Sequence, residues 1–182
     1  VKENGALKAV VAGDVAMDSV IANVRGIHPT PASSGLLLDS DGTVIAASDA
    51  IRAAVNGPIV EVLDTGKELL VVVENEQQVR DCKPDLATVA TLPWLGMMVT
   101  ARGVTHDFVS RYFAPAIGID EDPVTGSIHC SLIPYWAERL GKTELDAFQC
   151  SARGGELFCR LHGERVSIAG HAVLVASGRL YL

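Results

Sequence analysis

Hydrophobic residues along this chain fall mostly in short alternating or continuous runs, and take up helical spacing in only a few places. Between Ala6 and Arg25 the groups around Leu7, Val10, Val15, Val20 and Val24 are broken at Gly13-Asp14 and at Asp18, which predicts two or three short strands. Segment 26–35, with two prolines and a Ser-Ser pair, reads as a connector. A lobe boundary is therefore placed there: 1–34 ends one lobe and 35–182 forms the next. Ser48 to Pro58 has an N-cap candidate, good helix formers and an Asn-Gly-Pro stop, and so predicts a short helix. Strands are predicted over 59–63 and 68–73, the second with an apolar run from Leu69 to Val73 suited to burial on both faces. Another short helix begins at 83–86, and further strands lie at 96–100 and 107–113. In the latter, Phe108, Ser110 and Tyr112 alternate with Val109, Arg111 and Phe113. Near the C-terminus Leu157, Cys159 and Leu161 alternate with Phe158, Arg160 and His162, and Gly163-Glu164 turns the chain into Val166, Ile168 and onward to Val173 and Val175. This predicts an antiparallel meander. Strands joined mostly by hairpins, with two to four helices, predict an α+β fold.

The clearest helical spacing covers 126–140, where Ile128, Leu132, Tyr135, Trp136 and Leu140 recur three or four residues apart. Thr125 is the expected N-cap and Gly141-Lys142 the stop. Pro134 lies inside and is expected to kink the axis.

Composition narrows the function classes. The chain has 182 residues, 48% apolar and 20% charged, with 15 basic against 22 acidic side chains. That apolar content is enough for a packed domain and excludes a disordered chain. The net charge of −7, with basic residues scattered, argues against nucleic acid as a partner. Charged residues interrupt every stretch approaching about 18 apolar residues, so no membrane-spanning helix is expected. No secretory leader is visible, and a cytoplasmic location is expected. The sequence starts at Val1 and is read as a fragment of a longer chain. Cys82, Cys130, Cys150 and Cys159 show no C-x-x-C spacing and read as reduced thiols.

The candidate chemistry is concentrated from Arg111 to His129. Asp120, Glu121 and Asp122 precede the helix, and crowding of like charges would suit one of them to carry protons. A solvated acidic face is the plainer reading of such a triplet. At the helix start the amides of Gly126, Ser127 and Ile128 lack intrahelical partners and form an anion site at the positive end of the helix dipole. Gly126 lets a ligand approach the backbone, and the Ser127 hydroxyl adds a donor. A Ser127–His129–Asp122 hydrolase triad is disfavoured, because residues two apart on a helix point roughly 200° from each other. A metal site built from Cys150, Cys159 and His162 matches no ordinary zinc spacing, and core thiols are the better reading. Ser151-Ala152-Arg153-Gly154-Gly155 either clamps an oxyanion through Arg153 or is a tight strand connection; the residues alone leave both open. His28, His106 and His171 read as surface or satisfied side chains, and Trp94, Trp136, Tyr135 and Phe148 as core.

Several of these segments together carry a family resemblance. Ser110-Arg111-Tyr112-Phe113-Ala114-Pro115, Gly118 through Ser127 (Gly-Ile-Asp-Glu-Asp-Pro-Val-Thr-Gly-Ser), Pro134-Tyr135-Trp136, Leu140-Gly141-Lys142 and Gln149 through Gly155 closely resemble the PhzF-like proteins of phenazine biosynthesis. The match is good over about 60–182 and loose over the first 35 residues. The resemblance implies a diaminopimelate-epimerase-like fold with two lobes, each a rolled mixed sheet around a central helix, and a cleft between them. It also implies a cofactor-independent isomerase, with neither metal nor organic cofactor, that moves a proton on a small carboxylate; the known example acts on a dihydro-hydroxyanthranilate. Asp122 would be the acidic cleft residue and Gly126 and Ser127 the carboxylate-binding pair. The family's acid/base glutamate and its Gly-His-Ala-Thr motif belong to the other lobe and are not found in this sequence. Two-thiol racemisation is not expected, since Thr125 or a near neighbour stands where the epimerases place a thiol.

The function expected is therefore proton transfer on a cyclic or amino-acid-like carboxylate. Asp122 and Ser127 would act at the reacting centre, Thr125, Gly126, Ser127 and Arg153 would hold the substrate, and the main base would come from the other lobe. The alternative is a non-catalytic binding or scaffold protein that keeps the cleft. A homodimer is expected by family analogy alone.

Overall fold

In the computed structural model the chain is described continuously over 57–175, with isolated stretches at 2–3, 6–7, 37–38, 44–45, 51–52 and residue 55. Lys2–Glu3 pairs with Ala6–Leu7, and Leu37–Leu38 with Val44–Ile45, both antiparallel. Most of the strands expected over 6–25, the connector at 26–35 and His28 lie outside the described residues, as do 48–50, 53–54 and 56 of the helix expected over 48–58. Within that helix 51, 52 and 55 are helical, with Ile51 and Val55 buried.

The body is one mixed sheet. Its strands are β1 (Ile59–Asp64), β2 (Glu68–Val73), β3 (Gly96–Arg102), β4 (Phe108–Ala114), β5 (Ile119–Asp122), β6 (Glu144–Gln149), β7 (Gly155–His162) and β8 (Arg165–Gly170). The helices are α1 (Glu76–Asp81), α2 (Leu86–Ala90) and α3 (His129–Leu140). The spatial order is β8-β7-β6-β4-β3-β2-β1, with β5 added to β4. Neighbours are antiparallel except β2/β3 and β4/β6, which are parallel and need the α1–α2 and α3 crossovers respectively.

The period of two along the strands sorts the core into two layers. Leu70, Val72, Met98, Phe108, Tyr112, Leu145, Ala147, Leu157, Cys159 and Val166 pack with the apolar side of α3. Leu69, Val71, Val73, Met97, Val99, Val109 and Phe113 face the other way, onto Val79 of α1 and Val89 of α2. This double burial explains the continuous apolar run in β2. The sheet curls so that both flanks reach α3. Residues of β7 and β8 pack on it from one side. On the other, Glu61 of β1 accepts from Tyr135 Oη at 2.7 Å and from Arg139 Nη2 at 2.6 Å.

Several expectations need correction. β6 and α1 were not anticipated, although Asn75 caps α1 by accepting from the Gln78 amide at 3.0 Å. Segment 119–122, for which no strand was expected, is a strand paired with β4. The expected strand after Ile168 ends at Gly170, and Val173, Leu174 and Val175 are exposed. Helix α3 starts at His129 rather than at 126, runs through Pro134 and stops at Gly141, whose φ of 66° only glycine adopts without strain. Among the described residues no helix is long and apolar enough to cross a membrane.

Candidate functional site

The chain enters α3 through a tight turn. His129 N donates to Gly126 O, Cys130 N to Ser127 O and Ser131 N to Ile128 O, at 3.0–3.1 Å. These short-range bonds use the carbonyls of 126–128 and leave the amides of Gly126, Ser127 and Ile128 without a partner among the described residues. The axis of the twelve-residue α3 adds its positive end at the same place. Thr125 is not the N-cap: Ile128 occupies that position, with no capping side chain. The Thr125 hydroxyl instead donates to Asp122 Oδ2 at 2.7 Å, because β5 brings Asp122 back beside it.

Gly126 and Ser127 are exposed and form one wall of an open cavity of about 980 Å3. The opposite wall carries Arg153, Gly154 and Gly155 from the β6–β7 connection, and Leu157 and Ile168 supply an apolar side. A Cβ on Gly126 would meet nothing within 4 Å, so the turn is open to a ligand. The structure thus brings Gly126, Ser127 and Arg153, 26 residues apart in sequence, to one hollow. Asp122 and Thr125 stand behind that wall and do not line it.

Of the two readings of the 151–155 segment, the structure bears on the tight connection. It is a tight connection: Gly154 has φ 68°, and a Cβ there would sit 2.7 Å from the Phe148 ring. Ser151 Oγ donates to Pro123 O at 2.7 Å and accepts from Gly154 N at 3.0 Å, stitching this connection to the loop before α3. The same geometry leaves the Arg153 side chain on the cavity wall.

The three acids do not crowd together. Glu121 is held by Arg111, whose Nε and Nη2 donate to its two carboxylate oxygens at 2.7 and 2.9 Å. Arg111 Nη1 also donates to the Cys82 carbonyl at 2.6 Å. Strand alternation points Asp122 to the other face, and Asp120 is exposed. His129 is fully buried, and its Nδ1 donates to Thr125 O at 2.7 Å rather than reaching Ser127. Burial pushes its imidazole down to about 4, so the ring is neutral at pH 7. Cys159 and Cys150 belong to opposite faces of the sheet, which separates the thiols of the disfavoured metal grouping. Burial pushes Cys150 up to about 11 and Cys159 up to about 12. His106 and His171 flank Glu156, at 3.6 and 3.1 Å.

Gln149 stands in the family motif 149–155, but the sequence assigned it no role of its own. It ends β6 on the inward side, in line with Leu145 and Ala147, and is completely buried. Its Oε1 accepts from Thr125 N at 2.8 Å, and its Nε2 donates to Asp122 O at 2.8 Å and to Thr125 Oγ1 at 3.1 Å. A polar residue at the inward end of the alternating stretch 144–149 was the available signal.

A mixed sheet wrapped on a central helix, with an exposed turn of unpartnered amides at the helix start, defines the structural class, and comparison with known proteins places the chain within it. The model of the phenazine biosynthesis-like family (PhzC-PhzF) matches residues 19–178, and the chain belongs to that family. A Pseudomonas aeruginosa protein named as an uncharacterized isomerase is 64% identical over 138 residues, covering 76% of this chain and 53% of that protein. A human phenazine biosynthesis-like domain-containing protein is 42% identical over 132 residues, covering 69% of this chain and 41% of its own length. The crystal structure of a PhzF-family protein from Enterococcus faecalis superposes with a TM-score of 0.68 at 40% identity, covering 81% of this chain and 55% of that one. The chain spans about half the length of the relatives it matches.

Proposed function

We propose that this chain forms the carboxylate-holding half of an isomerase that moves a proton on a small cyclic or amino-acid-like carboxylate. The observation that carries the reading is the pair of unpartnered amides at Gly126 and Ser127, on the wall of a cavity whose other wall bears Arg153. An anion there gains from the helix dipole by about 1–2 kcal/mol. A charge-assisted bond to Arg153 adds to that, and the apolar side at Leu157 and Ile168 suits a hydrocarbon or ring body.

With the carboxylate held, acidity at the neighbouring carbon is what an isomerase exploits: a proton leaves one carbon and is returned to another. Asp122 does not line the cavity described, so its assisting proton-handling role rests on the family resemblance; its Oδ2 takes the Thr125 hydroxyl, and Oδ1 has no partner among the described residues. The principal base is the glutamate that the family resemblance assigns to the companion lobe. Neither metal nor organic cofactor enters this route. Positioned acid/base transfer contributes about 10² to 10⁴ in rate.

The test is deuterium exchange from D2O into a panel of cyclic and amino-acid-like carboxylates, catalysed by the complete protein and followed by proton NMR. Ser127→Ala raises the substrate concentration needed, and Asp122→Asn lowers the maximal rate. Unchanged turnover in both variants refutes the assignment.

A further inference from the structure

We propose that Gln149 is a positioning residue which sets both the anion-binding turn and the Asp122 carboxylate through a single side-chain amide. The inference rests on the carboxylate-site reading above and extends it to a residue that does not touch the cavity.

The hydrogen-bond directions around Gln149 are forced. The Thr125 amide can only donate, so Oε1 faces it; the Asp122 carbonyl can only accept, so Nε2 faces that. The second Nε2 hydrogen goes to Thr125 Oγ1, which leaves the threonine proton for Asp122 Oδ2. One amide therefore fixes the main chain on both sides of Pro123-Val124 and, through the Thr125 hydroxyl, fixes the carboxylate. Because Thr125 N is taken, the first amides left to a ligand are those of Gly126 and Ser127. The Thr125 carbonyl is held as well, by His129.

Gln149 is completely buried, so water does not replace these bonds when the amide is removed. It also sits in a costly polar patch. Ser110, its partner across β4/β6, and His129 each bury a polar atom with no partner among the described residues. A packed core alone favours apolar residues there. The polar patch instead serves the turn above it, and a small displacement of binding groups has large effects.

The probe is benzoate, titrated into the complete protein while the Gly126 and Ser127 amides are followed by 15N NMR; hydrogen exchange at the Thr125 amide is measured without ligand. Gln149→Met removes all three bonds. It is expected to weaken benzoate binding about tenfold at pH 7.5 and at pH 5.5, and to speed Thr125 exchange while the rest of the spectrum is retained. Gln149→Glu keeps an acceptor for Thr125 N but sets a charge beside Asp122, so it binds as poorly as Gln149→Met at pH 7.5. Its buried carboxyl titrates high, and at pH 5.5 the protonated group regains a donor and recovers affinity to within about fivefold of the parent. This pH-dependent rescue separates positioning from bulk packing and remains readable if Gln149→Met does not fold. Full benzoate affinity in Gln149→Met, or no recovery of Gln149→Glu at pH 5.5, overturns the role of Gln149 alone. Unshifted Gly126 and Ser127 amides in the parent protein overturn the carboxylate site, and the positioning role with it, whatever Thr125 exchange shows.

Discussion

Replacing Arg111 by Met tests whether the long-range pin between β4 and β5 holds this half of the molecule together. The guanidinium makes two bonds to Glu121 at 2.7 and 2.9 Å, and its Nη1 donates to the carbonyls of Cys82, Arg80 and Val79 at 2.6, 3.1 and 3.4 Å. Those carbonyls belong to the last turn of α1 and to its C-cap Cys82, so one side chain ties the helix, β4 and β5. The side chains are 14% and 23% exposed. Removing one member of a buried pair costs about 3–5 kcal/mol, because the other charge is left without compensation. Partial exposure sets the value at the low end, about 3 kcal/mol, and a melting temperature lower by roughly 10 °C. Urea unfolding followed by circular dichroism measures the loss, with the denaturant slope unchanged. Arg111→Lys recovers little, since an ammonium cannot reproduce the planar fork. A double-mutant cycle with Glu121→Gln should return a coupling of about 1–2 kcal/mol. Loss of less than about 1 kcal/mol in Arg111→Met, or zero coupling, refutes the reasoning. Asp122 follows Glu121 on the same strand, so the cycle also probes what aims the proposed acid.

His129 is buried neutral, with its folded value near 4 against 6.5 unpaired. Its contribution is complete above pH 6.5 and is lost as pH falls towards 4, by up to about 3 kcal/mol. His129→Asn keeps a donor for the Thr125 carbonyl and should flatten that part of the stability profile; an equally steep fall in the variant would contradict this. Gly155→Ala places a Cβ 2.4 Å from Val124 Cγ2 and should cost about 1–3 kcal/mol, relieved by adding Val124→Ala; equal losses with and without the second change rule out that clash. Gly126→Ala meets open space and should leave unfolding within about 0.5 kcal/mol of the parent, yet weaken benzoate binding about tenfold. Unaltered affinity there would deny close approach to the turn. Among the four thiols Cys130 borders the cavity, so a thiol reagent should modify it first, and benzoate should slow that reaction; Cys82, pushed up to about 11 by burial, should lag behind.

Much of this protein was legible in its sequence. Short apolar runs and period-two alternation located β1, β2, β3, β4, β7 and most of β8, and the two-faced burial of β2 followed from its unbroken apolar run. Helical spacing located α3, glycine its end, and the family motifs named Gly126, Ser127 and Asp122. The local patterns did not disclose that 119–122 pairs with β4, that Arg111 consumes Glu121, or that Thr125 spends its hydroxyl on Asp122 instead of capping a helix. Those outcomes depend on which strands become neighbours. The two parallel pairings, β2 with β3 and β4 with β6, join segments distant in the chain, and β4/β6 is what carries Gln149 under Thr125. Side-chain periodicity encodes which face of an element is buried, because burial of apolar area needs only the element's own repeat. Which polar groups meet is decided when the sheet curls around α3, since hydrogen bonds are short and directional and exist only once the whole core has closed.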